Sequence, residues 1–373
     1  MRGAVAIAGA AESDLGEVAP GLTPSDLMVQ ASLRALEDCG LQVSDVDGLF
    51  AASTQLPMAT LNLGEQLGVR PRYTDATQVG GSSPLCHVDH ARAAIAAGLC
   101  DVALIAYGST QRSVGRAGAS VQEVDGYEAP YAPMLPVTAY ALAAARHMHE
   151  FGTTPEQLAE VAVAARRWAM GNPRAWSREP LTIEDVLAAP RVCDPLGVRD
   201  CCLVTDGGGA LVVVSAERAR DLRRPPVFVL GAGEAHWHRH VSGMADLTTT
   251  AAVDSGARAF AEARLTPADV ESAQLYDAFT ITPILFLEDL GFCPKGEGGA
   301  FVEGGRIAPD GALPVNTNGG GLSYNHPGMY GMLALIEALR EVRDAGRHVV
   351  VAHGNGGVLS SQATVILGDE STL

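Results

Sequence analysis

Positive charge is scarce in this chain of 373 residues: 26 Lys and Arg stand against 43 Asp and Glu, a formal net charge of −17. A field of that sign repels phosphate backbones and anionic headgroups. Nucleic acid is therefore excluded as an expected partner, while a local basic pocket for a small anionic group stays open. No apolar run reaches the ~18 residues that a membrane helix needs, so no membrane span is expected. The opening MRGAVAIAGAAES holds an apolar stretch of roughly eight residues, too short for a secretory leader. The seven cysteines are odd in number and show no CxxC spacing. That argues against a disulfide framework and a structural zinc knuckle, and for a reduced, cytoplasmic protein.

What is present is globular. Hydrophobic residues make up 47% and charged residues 18%, with 42 Gly and 21 Pro spread along the chain. Apolar, strand-like runs alternate with amphipathic helical stretches, which predicts α/β layers. The first helix is fully punctuated: Thr23 to cap it, Pro24 and Asp26 in its first turn, Gly40 to stop it. Val29, Leu33 and Leu36 are its expected buried stripe.

The pattern then recurs. Leu265, Asp269 and Val270 stand where Leu41, Asp45 and Val46 stood, and each half continues into a Gly-rich loop that opens a long helix. These loops are GGSSPLCHVDHARAAIAAG from Gly80 and GGGLSYNHPGMYGMLALIEAL from Gly319, each feeding an apolar strand. Two related halves are expected, residues 1–222 and 223–373, with a loop subdomain of about 110–196 inserted in the first.

Helix N-termini leave backbone N–H groups free and favour anions, so the two Gly-loop junctions are the places to seek chemistry. The second carries Tyr324, Asn325, His326, Pro327 and Tyr330, with Tyr330 expected one helical turn beyond His326. Tyr276, in LYDAF, ends a strand of the second half. HWHRH offers His236, His238 and His240, but no carboxylate or Cys spacing completes a metal set, so no metal is expected.

The motifs LGFCPKGEGGAFVEGG, LPVNTNGGGLSYNHPG, RVCDPLGVRDCCLVTDGGGALVVVS and AHGNGG resemble the sterol-carrier-protein-type branch of the thiolase superfamily across nearly the whole chain. That resemblance implies an α/β fold, the thiolase fold: a duplicated βαβαβαββ unit in five layers with the site between the halves. The departures are informative. Counting back from Gly98 and Asp101, the family's nucleophilic Cys falls on Gly81, and Cys86 lies further along, inside the helix. No cysteine follows Cys293 to supply the second catalytic thiol. Tyr276 replaces the family's Asn or His, whereas His326 survives in NHP. A Claisen condensation through an acyl-enzyme needs a thiolate, and here it is gone.

The chain is thus similar to thiolase-like lipid-transfer proteins that act as aldolases on β-hydroxyacyl-CoA side chains of steroids. The resemblance implies Tyr276 or Tyr330 as the base. It gives His326, with backbone N–H groups near Gly81 and Gly356, the thioester oxygen, and adds Ser82, Tyr324 and His353 as oxyanion or substrate contacts. It implies no cofactor, CoA entering only as part of the acyl-CoA substrate. It also implies a homodimer through an edge near residues 75–82, and a small OB-fold partner of the DUF35 type completing a heterotetramer. Two other readings stay open at this point: a thiolase-type acyltransferase using Cys86, and a non-catalytic acyl-CoA or lipid-binding subunit.

Overall fold

The computed structural model describes residues 1–119 and 126–373, so 120–125 of the expected loop subdomain lie outside the described residues. The first half contributes β1 (Val5–Glu12), β2 (Gly48–Ala51), β3 (Tyr73–Asp75) and β4 (Val102–Ser109). A two-stranded ribbon follows, β5 (Arg191–Cys193) with β6 (Leu196–Gly197), and then β7 (Gly207–Ser215). The second half contributes β8 (Val227–His236), β9 (Ser272–Leu275), β10 (Val349–Gly356) and β11 (Ser361–Gly368). Every residue of β4 and of β10 is buried, as befits strands covered on both faces.

The spatial order is β3-β2-β4-β7-β1 and then β8-β11-β10-β9. In the first half β2 is parallel to β3 and β4, and β4 is antiparallel to β7. In the second half β9 is parallel to β10, β10 is antiparallel to β11, and Val315 adds a parallel bridge beyond β9 at Ala273. Each half therefore has the same strand order, the duplication that the sequence repeat predicts. The two sets meet at a thin antiparallel seam, where Ala6 faces Phe228 and Ile7 faces Val227.

Helices complete the layers. Pro24–Cys39 begins with a capping box between Thr23 and Asp26 and ends at Gly40 with φ 80°, and it covers the outer face of β1, β4 and β7. Its buried face is Leu27, Met28, Ala31, Ala35 and Leu36. The expected Leu33 is instead 47% exposed, because the small residues Ala31 and Ala35 are what lets the helix lie close on the strands. Ala252–Ala263 plays the same part on β8 and β11. Between the two strand sets lie Ser83–Ala96 and Gly331–Arg343, packed on each other and on strands of both halves. Those are the five layers. No helix among the described residues is long and apolar enough to cross a membrane.

Two local expectations are corrected. GGGLSYNHPG does not lead straight into its helix: Gly320–Tyr324 form a π-turn, and the helix starts only at Gly331. Pro327 and Gly328 (φ 98°) interrupt it. His326 therefore sits on a loop and Tyr330 at the helix cap, rather than one turn apart on a helix. The sheet edge is β3, ending at Asp75, while Gly80–Ser82 is already a 3₁₀ turn.

Candidate active site

The strand end at Leu275 delivers Tyr276 into the space between the two central helices, its backbone N–H donating to the His353 carbonyl at 3.0 Å. Its ring lies directly on Gly81. A Cβ built on Gly81 would stand 2.3 Å from Tyr276 Cε2 and 2.6 Å from the Asn355 carbonyl oxygen, so no side chain fits there. The same closeness joins the two helix starts, since a Cβ on Gly331 would be 2.1 Å from the Gly81 carbonyl.

Three rings meet above this point. The Tyr276 ring is edge-on to His326 at 5.5 Å and to Tyr330 at 5.8 Å, while His326 and Tyr330 stack at 6.1 Å with planes 8° apart. The Tyr276 hydroxyl donates to the Gly328 carbonyl at 2.8 Å, and that of Tyr330 to Asn318 Oδ1 at 3.0 Å. Burial pushes both phenols well above 10, so both are un-ionised at neutral pH. Burial pushes His326 the other way, to about 4, and the ring is neutral. Both of its ring nitrogens are buried with no hydrogen-bond partner. Buried polar groups are almost always satisfied, so an imidazole with two unpartnered nitrogens singles this ring out as a candidate site residue.

The residues holding this trio escaped sequence reasoning. Asp277 accepts the N–H groups of Gly321 at 2.6 Å and Leu322 at 3.2 Å, which fixes the π-turn ahead of His326. Burial raises its carboxyl to about 7. Asn318 accepts from both the Tyr330 hydroxyl and, at 2.8 Å, the Gly320 N–H. An acidic residue directly after Tyr276, in a chain also carrying a Gly-rich loop, was the available signal for Asp277. Nothing in the sequence marked Asn318.

Tyr276, His326, Tyr330 and Gly81 are thus brought together, with Gly356 beside them: a Cβ on Gly80 would lie 2.8 Å from Gly356 Cα. Three expected contacts are not. The Tyr324 hydroxyl donates to the buried Glu12 carboxylate at 2.8 Å, beside Arg340 and Arg174. The Ser82 hydroxyl is 2.6 Å from that of Ser361. His353 has both ring nitrogens engaged, by Thr364 at 2.9 Å and Gln362 at 3.0 Å, and has none left for a substrate. Cys86 is fully buried, and burial together with Glu234 raises its thiol well above 9. A nucleophile needs the opposite, a lowered and accessible thiol.

The chain is similar to several proteins of known activity or structure. A family model described as "Thiolase C-terminal domain-like" matches residues 233–369. A steroid side-chain-cleaving aldolase of Thermomonospora curvata is 34% identical over 92% of this chain and 91% of its own. A 17-hydroxy-3-oxo-4-pregnene-20-carboxyl-CoA lyase of Mycobacterium tuberculosis is 33% identical over 95% and 97%. Among solved structures, an Ltp2-ChsH2(DUF35) aldolase superimposes with a TM-score of 0.88 at 33% identity, covering 99% of this chain and 98% of that one.

Proposed function

The chain belongs to the sterol-carrier-protein-type branch of the thiolase superfamily, and on that footing we propose that it is a retro-aldol carbon–carbon lyase acting on a bulky 3-hydroxyacyl-CoA, a steroid side-chain thioester. The observation that carries the reading is the Tyr276 ring seated on Gly81. It fills the place where an acyl-transfer nucleophile would have to stand, and it brings a hydroxyl beside His326 and Tyr330.

In the reaction the β-hydroxyl gives up its proton, the Cα–Cβ bond breaks, and a ketone leaves behind an acyl-CoA enolate that takes a proton at Cα. The net change is one proton moved from oxygen to carbon. Because both tyrosines are phenols at rest, they serve as exchangers. The hydroxyl that takes up the substrate proton releases its own in the same step, directly to Cα or by way of the other tyrosine, which then gives its proton to Cα. The protein ends as it began. Neutral His326 donates a ring N–H to the thioester oxygen as charge develops there, together with backbone N–H groups near Gly81 and Gly356. Removing one donor to such an oxyanion costs roughly 10²–10³ in rate.

No cofactor beyond the CoA of the substrate enters this scheme. The unpaired cysteines suit a reduced cytoplasmic setting. The short edge strand β3 offers a surface for a second copy of the chain, and the similar Ltp2-ChsH2(DUF35) aldolase is named with a DUF35 component. A homodimer with two small OB-fold partners is the assembly we assign.

The test is to incubate the purified protein and its DUF35-type partner with a steroid 3-hydroxyacyl-CoA and follow products by mass spectrometry. A ketone and a shorter acyl-CoA in equal amounts are expected. Acyl transfer to free CoA, or binding of the thioester without turnover, would overturn the reading.

A further inference from the structure

The HWHRH segment takes on a new meaning once the chain is folded. Glu234, two residues before His236, supplies a carboxylate, and the thiol missing from the sequence neighbourhood is supplied in space. Glu234 and His236 lie two residues apart near the end of β8, on one side of the strand. The helix Ser83–Ala96 brings Cys86 to them from the other half. One ligand atom from each of Cys86, Glu234 and His236 lies within 4.8 Å of the other two. We propose that these three side chains form a binding site for one zinc-class divalent cation, separate from the tyrosine–histidine site.

The surroundings are arranged as a ligand set requires. His236 Nδ1 is 2.8 Å from the Ser361 hydroxyl, which leaves Nε2 to face Glu234 Oε1 at 3.9 Å. Ser361 is itself fixed by Ser82 at 2.6 Å. On the other side His90 Nε2 lies 3.4 Å from Glu234 Oε1, and His90 Nδ1 lies 2.6 Å from Asp75. A metal-binding histidine ordinarily gives its second nitrogen to a neighbour, and a binding carboxylate is held in turn. Both conditions are met. Glu234 Oε2 is buried and has no hydrogen-bond partner, so the carboxylate keeps an unused acceptor. One sulfur, one nitrogen and one carboxylate oxygen suit zinc or cobalt better than magnesium or calcium. Three protein ligands leave a fourth position for water. His236 is 41% exposed, which gives the ion a way in.

Binding would exchange the Cys86 proton for the cation, since metal ligation deprotonates a coordinating thiol. It would also tie the helix that starts behind Gly81 to a strand of the opposite half.

The test uses metal-stripped full-length protein titrated with Co²⁺, read by the thiolate-to-cobalt charge-transfer band in the near ultraviolet. The expected result is a band that saturates at one cation per chain and is displaced by Zn²⁺. Cys86→Ser should abolish the band, and His236→Gln should weaken binding at least about tenfold. His238→Gln should leave it intact, because that ring already bonds the Val358 carbonyl at 3.1 Å. Zn²⁺ should raise the melting temperature of the wild type and leave that of Cys86→Ser unmoved. No band in folded wild type, or a band that persists in Cys86→Ser, would overturn the site without touching the lyase assignment.

Discussion

The two halves place the same junction, a glycine-rich turn ahead of a central helix, on either side of one site, and they use it in opposite ways. At the first-half junction the turn Gly80–Ser82 is sealed: the Tyr276 ring covers Gly81, and the Ser82 hydroxyl is taken by Ser361. At the second the turn is held open from behind by Asp277, and the ring that follows, His326, has both nitrogens free. A duplicated scaffold can thus lose its nucleophile on one side and keep a working site, because the other side faces the same space. On the proposed reading, the side chains that do the chemistry come from the second half, while the first-half junction contributes only backbone.

The largest effects should fall on the side that still works. Replacing Tyr276 or Tyr330 by Phe removes a hydroxyl and almost no volume, so stability should drop by only about 1–2 kcal/mol. Cleavage of a 3-hydroxyacyl-CoA should slow by roughly 10²–10⁴-fold in at least one of the two. Full activity in both variants would place the chemistry elsewhere.

Next comes the sealed side. Gly81→Ala forces a Cβ into the Tyr276 ring and the Asn355 carbonyl, and such overpacking should cost roughly 3 kcal/mol in denaturant unfolding. Adding Tyr276→Ala should return part of that loss. If Gly81→Ala is harmless, the seal does not exist.

Acid should distinguish the sides by sign. His326 titrates near 4 when folded and 6.5 when unfolded, so its stabilisation is complete above 6.5 and is lost as pH falls toward 4. At pH 5 that loss is about 2 kcal/mol. His90, beside the first junction, is held charged by Asp75 and Glu234 up to about 10, so its contribution is complete below 6.5 and fades as pH rises. Melting His326→Gln at pH 7 and pH 5 should show a smaller acid loss than the wild type. An identical loss would mean that the imidazole is not buried as neutral.

The smallest effect belongs to Cys86→Ala. Steady-state cleavage by this variant should match the wild type, and an inactive, well-folded Cys86→Ala would restore the acyltransferase reading.

Much of this was legible in advance. The Thr23–Gly40 punctuation of the first helix, the repeated strand–helix order and the glycine loops are local signals, and local signals survive folding. Tyr276, His326 and Tyr330 could be named because their residue types depart from or match a familiar pattern. What could not be read was direction. Ser82, Tyr324 and His353 have suitable chemistry, yet each is turned toward a partner distant in sequence, Ser361, Glu12 and Gln362 in order. The placement of His326 and Tyr330 on one helix failed for a different reason: Pro327 and Gly328 end helical periodicity, and periodicity was the only ruler available. Asn318 acts through hydrogen bonds from Tyr330 and Gly320 that no spacing announces.

Glu12 carries a consequence for how the molecule comes apart. Its carboxylate, on the first half's opening strand, is wholly buried and grips Arg340 of the second half's central helix at 2.8 Å, together with Arg174 of the inserted segment and the Tyr324 hydroxyl. Burial alone would raise its pKa, and it is the two guanidiniums, Arg340 foremost, that bring it below the usual range. A buried charge stripped of one such partner is strongly destabilising, so a species with one half folded and the other loose would strand this carboxylate in the interior. The seam between the strand sets is thin, but the clasp at Glu12 makes the intermediate that a thin seam would allow an expensive one. Heat and denaturant should therefore meet a single cooperative unit, melting in one transition despite its two-part ancestry.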